Sequence, residues 1–525
     1  MSKNLSNNPR IDTLLTTRSN LTNPVISFDQ NNILGRGVEV TFNFPTLSPR
    51  NDFVPGFQAL SAAQQSAIRD AMDMISSFVD VTFREVSSSA KAEIEYAIGT
   101  LSGNTQGLAS SLYQFTAGNQ YGYIRDATVS FDTSLVVGND FDEGSRFYYV
   151  AIHEIGHALG LEHPFEGIVR RGINEDTASS VMAYDDGFTS TTLEPSTLMR
   201  NDFLALQYLY GENTSTFAGD TVHSFTNEDF RGDGRIKLLW DASGNDTIDL
   251  GGITSASSTS LGGDRFYQIS LTAGDRLLRE PSSSTSFDNV FIADGAVFEN
   301  AVGTDFDDRI TGTSITNRLE GGNGTDRIEG GFGTDTLLGG AGNDRLHGST
   351  FDGSVIIVEQ NSSVDINGWL YQFVDLNGNQ SGQITSAVGQ PFSTFLDQGD
   401  LSSLLDDNSA DALFGDAGDD ILMGGGGEDN LVGGTGDDIL TGGASADEFR
   451  FAAADGNDMI TDFNAAEDVL ALESSNWGGT LTAAQIVDTF GTDTGEAFVF
   501  DFGATRIELW GDFTQAELAQ AIEIF

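Results

Sequence analysis

The chain has 525 residues, of which 39% are hydrophobic, enough for two or three domains with cores of their own. Its 78 acidic against 25 basic residues give a formal net charge of -53. That balance argues against nucleic acid as a partner, because phosphate neutralisation needs Lys and Arg, and against binding to an anionic membrane surface. Without cysteine there is no disulfide and no thiolate chemistry, and no segment approaches the roughly 20 apolar residues of a spanning helix.

Residues 1–37 are polar and rich in Asn, Thr and Ser, and read as a leader or pro-segment without the apolar run of a secretory signal. On those facts alone a cytoplasmic location is expected. Residues 38–215 read as one domain of strands and helices. Val38–Phe44, 79–86, 92–99 and 127–132 alternate as strands do, and 61–79, 147–161 and 202–210 carry apolar residues at helical spacing. Gly107–Ser111 is placed as an edge strand able to pair with an extended peptide.

Residues 153–163 read HEIGHALGLEH and use three of the five histidines. His153 and His157, four apart on a helix, project from one face and can hold one metal ion. Glu154 follows the first ligand, where a carboxylate can take the proton of a water that the metal activates. Gly160 permits a left-handed helix end, which swings His163 back as a third ligand. Three His ligands leave a position open to water, the arrangement of a catalytic rather than a structural zinc.

Composition shifts near residue 215, and 216–302 read as a linker and the start of a second architecture. A nine-residue period then runs through 303–348 (GTDFDDRIT, GTSITNRLE, GGNGTDRIE, GGFGTDTLL, GGAGNDRLH) and resumes over 406–450. A fixed period over many units marks a solenoid. In each unit GGxGxD forms a turn, and three further residues form a short strand with one inward apolar side chain. Ile310, Leu319, Ile328, Leu337 and Leu346 are expected in one column, with Leu413, Leu422, Leu431, Leu440 and Phe449 in another. The sixth position repeats a carboxylate, as Asp308, Asp326, Asp335, Asp344, Asp411, Asp420, Asp429, Asp438 and Asp447. Stacked carboxylates repel without a cation, and oxygen-only ligands suit calcium. Asn317 breaks that series and weakens one position. Residues 349–405 interrupt the array, with Asp375, Asn377 and Asn379 in a turn of an inserted hairpin. His223 and His347 match no motif and are expected on the surface or in loops.

With both motifs placed, the chain resembles the serralysin family of secreted metzincin proteases. The resemblance is carried by HEIGHALGLEHP (153–164), SVMAY (180–184), DFLALQYLYG (202–211), WDASGNDTIDL (240–250), the array, and GGASADEFRF with DMITDF near the end. It implies a multidomain chain: an N-terminal α+β metzincin protease domain, then an all-β parallel β-roll binding calcium between turns. Residues 451–525 then form a C-terminal cap and secretion-signal region. The resemblance makes Met182 the Met-turn methionine under the zinc ligands. It makes Tyr184 a residue that coordinates zinc at rest and stabilises the oxyanion. It further implies a secreted, extracellular zinc endopeptidase with structural calcium, acting on protein or peptide substrates. Export through a type I secretion apparatus that reads the C-terminal region overturns the cytoplasmic default. A monomer without stable membrane insertion is expected. The rival is a calcium-dependent adhesion or surface protein with a vestigial metal site, and the intact Glu154 argues against it.

Overall fold

A computed structural model describes residues 12, 14–15, 27–29, 33–49, 54–115, 122–136, 138, 140–164, 179–183, 194–226, 229, 235–254, 267–271, 273, 277–279, 290–349, 355–360, 369–374, 380–385, 410–495, 497–511 and 513–525. The first sheet holds β1 (Val38–Asn43), β2 (Val81–Glu85), β3 (Ile94–Gly99), β4 (Gly107–Phe115) and β5 (Gly122–Asp132) in the order β2-β1-β3-β5-β4. Neighbours are parallel except β4, which runs antiparallel to β5 at the sheet's edge. Among the described residues three helices accompany it: α1 (Ala62–Phe78), α2 (Arg146–Ala158) and α3 (Arg200–Tyr210). A capping box starts α1, the Ser61 and Gln64 side chains each accepting from the other's backbone N–H. Every residue of α2 except Arg146 and His157 is buried, so this helix is core on nearly all sides.

Helix α2 stops at Ala158, short of the expected 161, because Gly160 turns at φ +104 and the N–H of Leu161 bonds back to the carbonyl of Gly156. The expected leader also contributes to this core. Leu14, Leu15 and Phe28 are buried, and Leu15 forms an antiparallel bridge with Leu161. A lone apolar pair has no period, so the sequence pattern does not reveal it.

The array forms two facing sheets of parallel strands, extended at the C-terminal end by strands 469–472, 498–501, 505–509 and 522–524. The two columns expected from the repeat do not form as such. Each GGxGxD turn carries the chain across to the facing sheet, so the same sheet is regained only 18 residues on. Ile310, Ile328, Leu346, Leu422 and Leu440 therefore line one sheet, while Leu319, Leu337, Leu413, Leu431 and Phe449 line the other. All ten are at most 1% exposed. The glycines let the coils stack, since a Cβ on Gly342 (φ +139) would overlap the carbonyl oxygen of Gly324, one coil away.

The interruption does not disturb this stack. Leu337 pairs with Leu413 and Leu346 with Leu422, as adjacent coils do. The insertion's described part is a three-stranded antiparallel sheet of 355–360, 369–374 and 380–385, and Asp375, Asn377 and Asn379 lie outside the described residues. No helix among the described residues is long and apolar enough to cross a membrane.

Candidate metal centres

His153 and His157 sit one turn apart on α2, and the turn at Gly160 returns His163 to them. His153 Nδ1 donates to the carbonyl of Val181 (2.7 Å) and His157 Nδ1 to that of Leu161 (2.8 Å). A carbonyl only accepts, so both rings carry their proton on Nδ1 and present a bare Nε2. The Nε2 atoms of His157 and His163 stand 3.1 Å apart, and those of His163 and His153 3.3 Å. Ligand nitrogens around a tetrahedral zinc at about 2.0–2.1 Å are separated by roughly 3.3 Å, so the three residues fit that ion. Burial first, and then the neighbouring His157 imidazole, pushes His153 down to about 3, which keeps its ring neutral.

Glu154 is buried beside this cluster, and its carboxylate accepts the N–H of Ala109 on edge strand β4. Its Oε2 has no hydrogen-bond partner, and burial pushes the group up to about 8. A Cβ on Gly107 would stand 2.5 Å from Glu154 Oε1 and 2.6 Å from its Cγ, so glycine lets β4 pass the carboxylate closely. Met182 is fully buried beneath α2, where a Cβ on Gly156 would lie 2.9 Å from its sulfur. Tyr184 lies outside the described residues.

Sequence reasoning missed Asp202, which orders the strand of chain under the histidines. Its carboxylate accepts from Ser180 Oγ (2.6 Å), Val181 N (2.7 Å) and Met199 N (3.0 Å). Beyond opening the DFLALQYLYG stretch, its sequence signal is an acid in the first turn of a helix.

The repeated carboxylates form two ladders. Along one, the backbone N–H groups of Asp308, Asp326, Asp344, Asp420 and Asp438 donate to Oδ1 of the next coil's Asp, ending at Asp458. Along the other, Asn317, Asp335, Asp411, Asp429 and Asp447 do the same, ending at Asp468. The Oδ2 atoms of Asp326, Asp344, Asp420, Asp438 and Asp458 are buried with no hydrogen-bond partner. Burial is the first cause that raises Asp326, Asp420, Asp447 and Asp458 to about 8 and Asp344 and Asp438 to about 6. Buried carboxylate oxygens in register, beside turns that a Cβ would fill, suit a calcium ion.

The ladder ends differ. Asp308 Oδ2 accepts from both the N–H (2.6 Å) and the hydroxyl (3.0 Å) of Thr304. Asn317 accepts from Thr313 and donates to the carbonyl of Glu299. Asp468 Oδ2 accepts from Asn464 N (2.7 Å). Asp246, also missed, has a buried Oδ2 without a partner, and burial with the charges of Asp241 and Glu299 raises it to about 6. His223 and His347 lie within strands and half-buried rather than on the surface or in loops, His223 Nε2 meeting Asp241 Oδ2 at 2.9 Å.

Residues 55–211 match the matrixin family, and 302–337, 311–346, 320–354, 404–431 and 423–460 match the RTX calcium-binding nonapeptide repeat. The fold and these matches define a matrixin-type peptidase domain followed by a calcium-binding RTX roll, the one class built on zinc and the other on calcium. The chain is homologous to serralysins over about half its length. It is 31% identical to serralysin G of Dickeya chrysanthemi over 55% of this chain and 62% of that one. It is 30% identical to serralysin B of the same organism (54% and 60%) and to metallopeptidase AprA of Pseudomonas marginalis (51% and 58%). The chain thus spans 58–62% of the length of these curated relatives. A peptidase domain leaves the adhesion alternative without support.

Proposed function

We propose that the chain is a secreted zinc endopeptidase whose roll is stabilised by calcium, with His153, His157 and His163 as the zinc ligands. The observation that carries this reading is the convergence of three Nε2 atoms at 3.1–3.3 Å beside a buried Glu154. Bound zinc supplies Lewis acidity toward the scissile carbonyl and the attacking water. Glu154 takes the water's proton at its unpartnered Oε2 and returns it to the leaving amine. The carbonyls of Val181 and Leu161 hold His153 and His157 in the ligating tautomer throughout. Met182 floors the site, and Tyr184, on the sequence resemblance alone, steadies the oxyanion. The outer edge of β4, with Leu108 and Leu112 exposed, takes extended substrate by strand addition.

Asp326, Asp335, Asp344, Asp411, Asp420, Asp429, Asp438 and Asp447 are the calcium positions of this reading. Where calcium is scarce the stacked carboxylates hold the roll unfolded, and outside the cell calcium folds it, which suits passage through a type I apparatus. The decisive comparison is between wild-type protein and Glu154→Gln, both loaded with zinc and calcium, on an unfolded protein substrate. Cleavage should fall by at least about 100-fold with zinc content unchanged. Equal rates would remove the catalytic assignment.

A further inference from the structure

The short chain that joins the second proposed zinc ligand to the third is held from outside the peptidase helices. Leu161 lies between His157 and His163, and its N–H donates to the carbonyl of Gly156 (2.9 Å). Its own carbonyl accepts the Nδ1 proton of His157. From the N-terminal segment, Leu15 bridges Leu161 in antiparallel fashion, and the carbonyl of Leu14 accepts the N–H of Glu162 (2.8 Å). Leu14 and Leu15 are 0% and 1% exposed, so this contact is built into the core rather than laid on it.

We propose that Leu14 and Leu15 form a strap that positions His157 and His163 for zinc, an inference that rests on reading those histidines as ligands. His153 and His157 are fixed by a buried helix, whereas His163 follows a glycine turn and has no regular structure of its own to stand on. Zinc sites need their ligands within about 0.5 Å of the binding geometry. The strap supplies this by fixing the backbone on both sides of the Leu161 carbonyl, so one contact serves the tautomer of His157 and the placement of His163. Groups that orient ligands in this way change metal affinity by about 10–100-fold when lost.

The test uses the full chain with calcium present and follows zinc transfer to an excess of a chromophoric chelator. Leu14→Ala/Leu15→Ala should release zinc at least about ten times faster than wild type. It should also alter the visible spectrum of the cobalt-substituted site. Leu60→Ala, a core leucine with 5% exposure, truncates the same domain elsewhere and should release zinc at the wild-type rate. The proposal is overturned if the double variant releases zinc no faster than wild type, or if Leu60→Ala accelerates release equally. If the double variant does not fold, hydrogen exchange of zinc-free wild type decides instead. The Glu162 amide should exchange as slowly as core amides, and fast exchange rejects the strap. Zinc retention is read independently of proteolysis. A chain that holds zinc and cleaves nothing would sink the endopeptidase reading and leave the strap standing. If these histidines took up no zinc, the ligand reading would fall while the Glu162 amide still reported on the contact.

Discussion

Asp202 offers the sharpest test of how the Met-turn region supports the zinc site. The carboxylate is fully buried, and its Oδ2 accepts both Val181 N (2.7 Å) and Met199 N (3.0 Å), while Oδ1 accepts Ser180 Oγ (2.6 Å). The carbonyl of the same Val181 takes the Nδ1 proton of His153, so Asp202 stands one residue behind a proposed ligand. Asp202→Ala would leave two buried backbone N–H groups without an acceptor, at about 1–3 kcal/mol each, for a total of about 2–6 kcal/mol. Asp202→Asn can place its amide oxygen at the Oδ2 position and keep both backbone bonds. The Ser180 hydroxyl can then turn to accept from the new NH2, so this variant should cost only about 1 kcal/mol. Trp240 packs at a tilt of 51° against Phe203, next in sequence to Asp202, with ring centroids 5.1 Å apart, and its emission is a suitable probe of urea unfolding in calcium-loaded, zinc-free protein. Zinc affinity should follow the same order, falling about tenfold or more for alanine and little for asparagine. Equal stability of the two variants, or a loss below about 1 kcal/mol for Asp202→Ala, would refute the reasoning.

Because the coils on either side of the insertion pair as neighbours, excising residues 350–407 should preserve the calcium-induced strand signal in circular dichroism and the cleavage of protein substrate. Loss of the calcium transition would show that the insertion is part of the stack. Asp344→Asn should lower the number of calcium ions bound at equilibrium dialysis, whereas Asp308→Asn should not, because Thr304 already serves the Oδ2 of Asp308. A loss with Asp308→Asn equal to that with Asp344→Asn would reject the distinction. The calcium-free roll should gain structure on acidification. Asp326, Asp420, Asp447 and Asp458, raised to about 8, and Asp344 and Asp438, raised to about 6, all sit above the unfolded value of 3.8. The folded form therefore binds more protons than the unfolded chain. That stabilisation is fully present below about pH 4 and is lost as pH rises through 6 to 8. In chelator, strand signal should grow from pH 8.5 to 5, and a flat response would contradict the burial of these carboxylates.

What the sequence carries is local, and what it hides is long-range. His153, His157 and Gly160 announce a helix face and its exit because their spacing is the geometry itself. Leu14, Leu15 and Asp202 hold the same site from positions remote in the chain, and nothing near them repeats. The array shows the same division. Its nine-residue period and inward apolar residue are visible, but the period defines a unit and not where the turn sends it. One sheet or two would satisfy the same pattern, and only the 18-residue pairing decides. Asp458 and Asp468 escaped because their ladder steps from Asp438 and Asp447 are 20 and 21 residues, out of the nine-residue frame. Hydrogen bonding kept the ladder where spacing did not, since each carboxylate still accepts an N–H from the coil before it. The unit that repeats in three dimensions is therefore the Asp N–H to Asp Oδ1 bond. Along the ladder from Asp308 it leaves the Oδ2 atoms of Asp326, Asp344, Asp420, Asp438 and Asp458 without a hydrogen-bond partner, whereas Thr304 serves that of Asp308 and Asn464 that of Asp468, so calcium demand differs from one turn to the next.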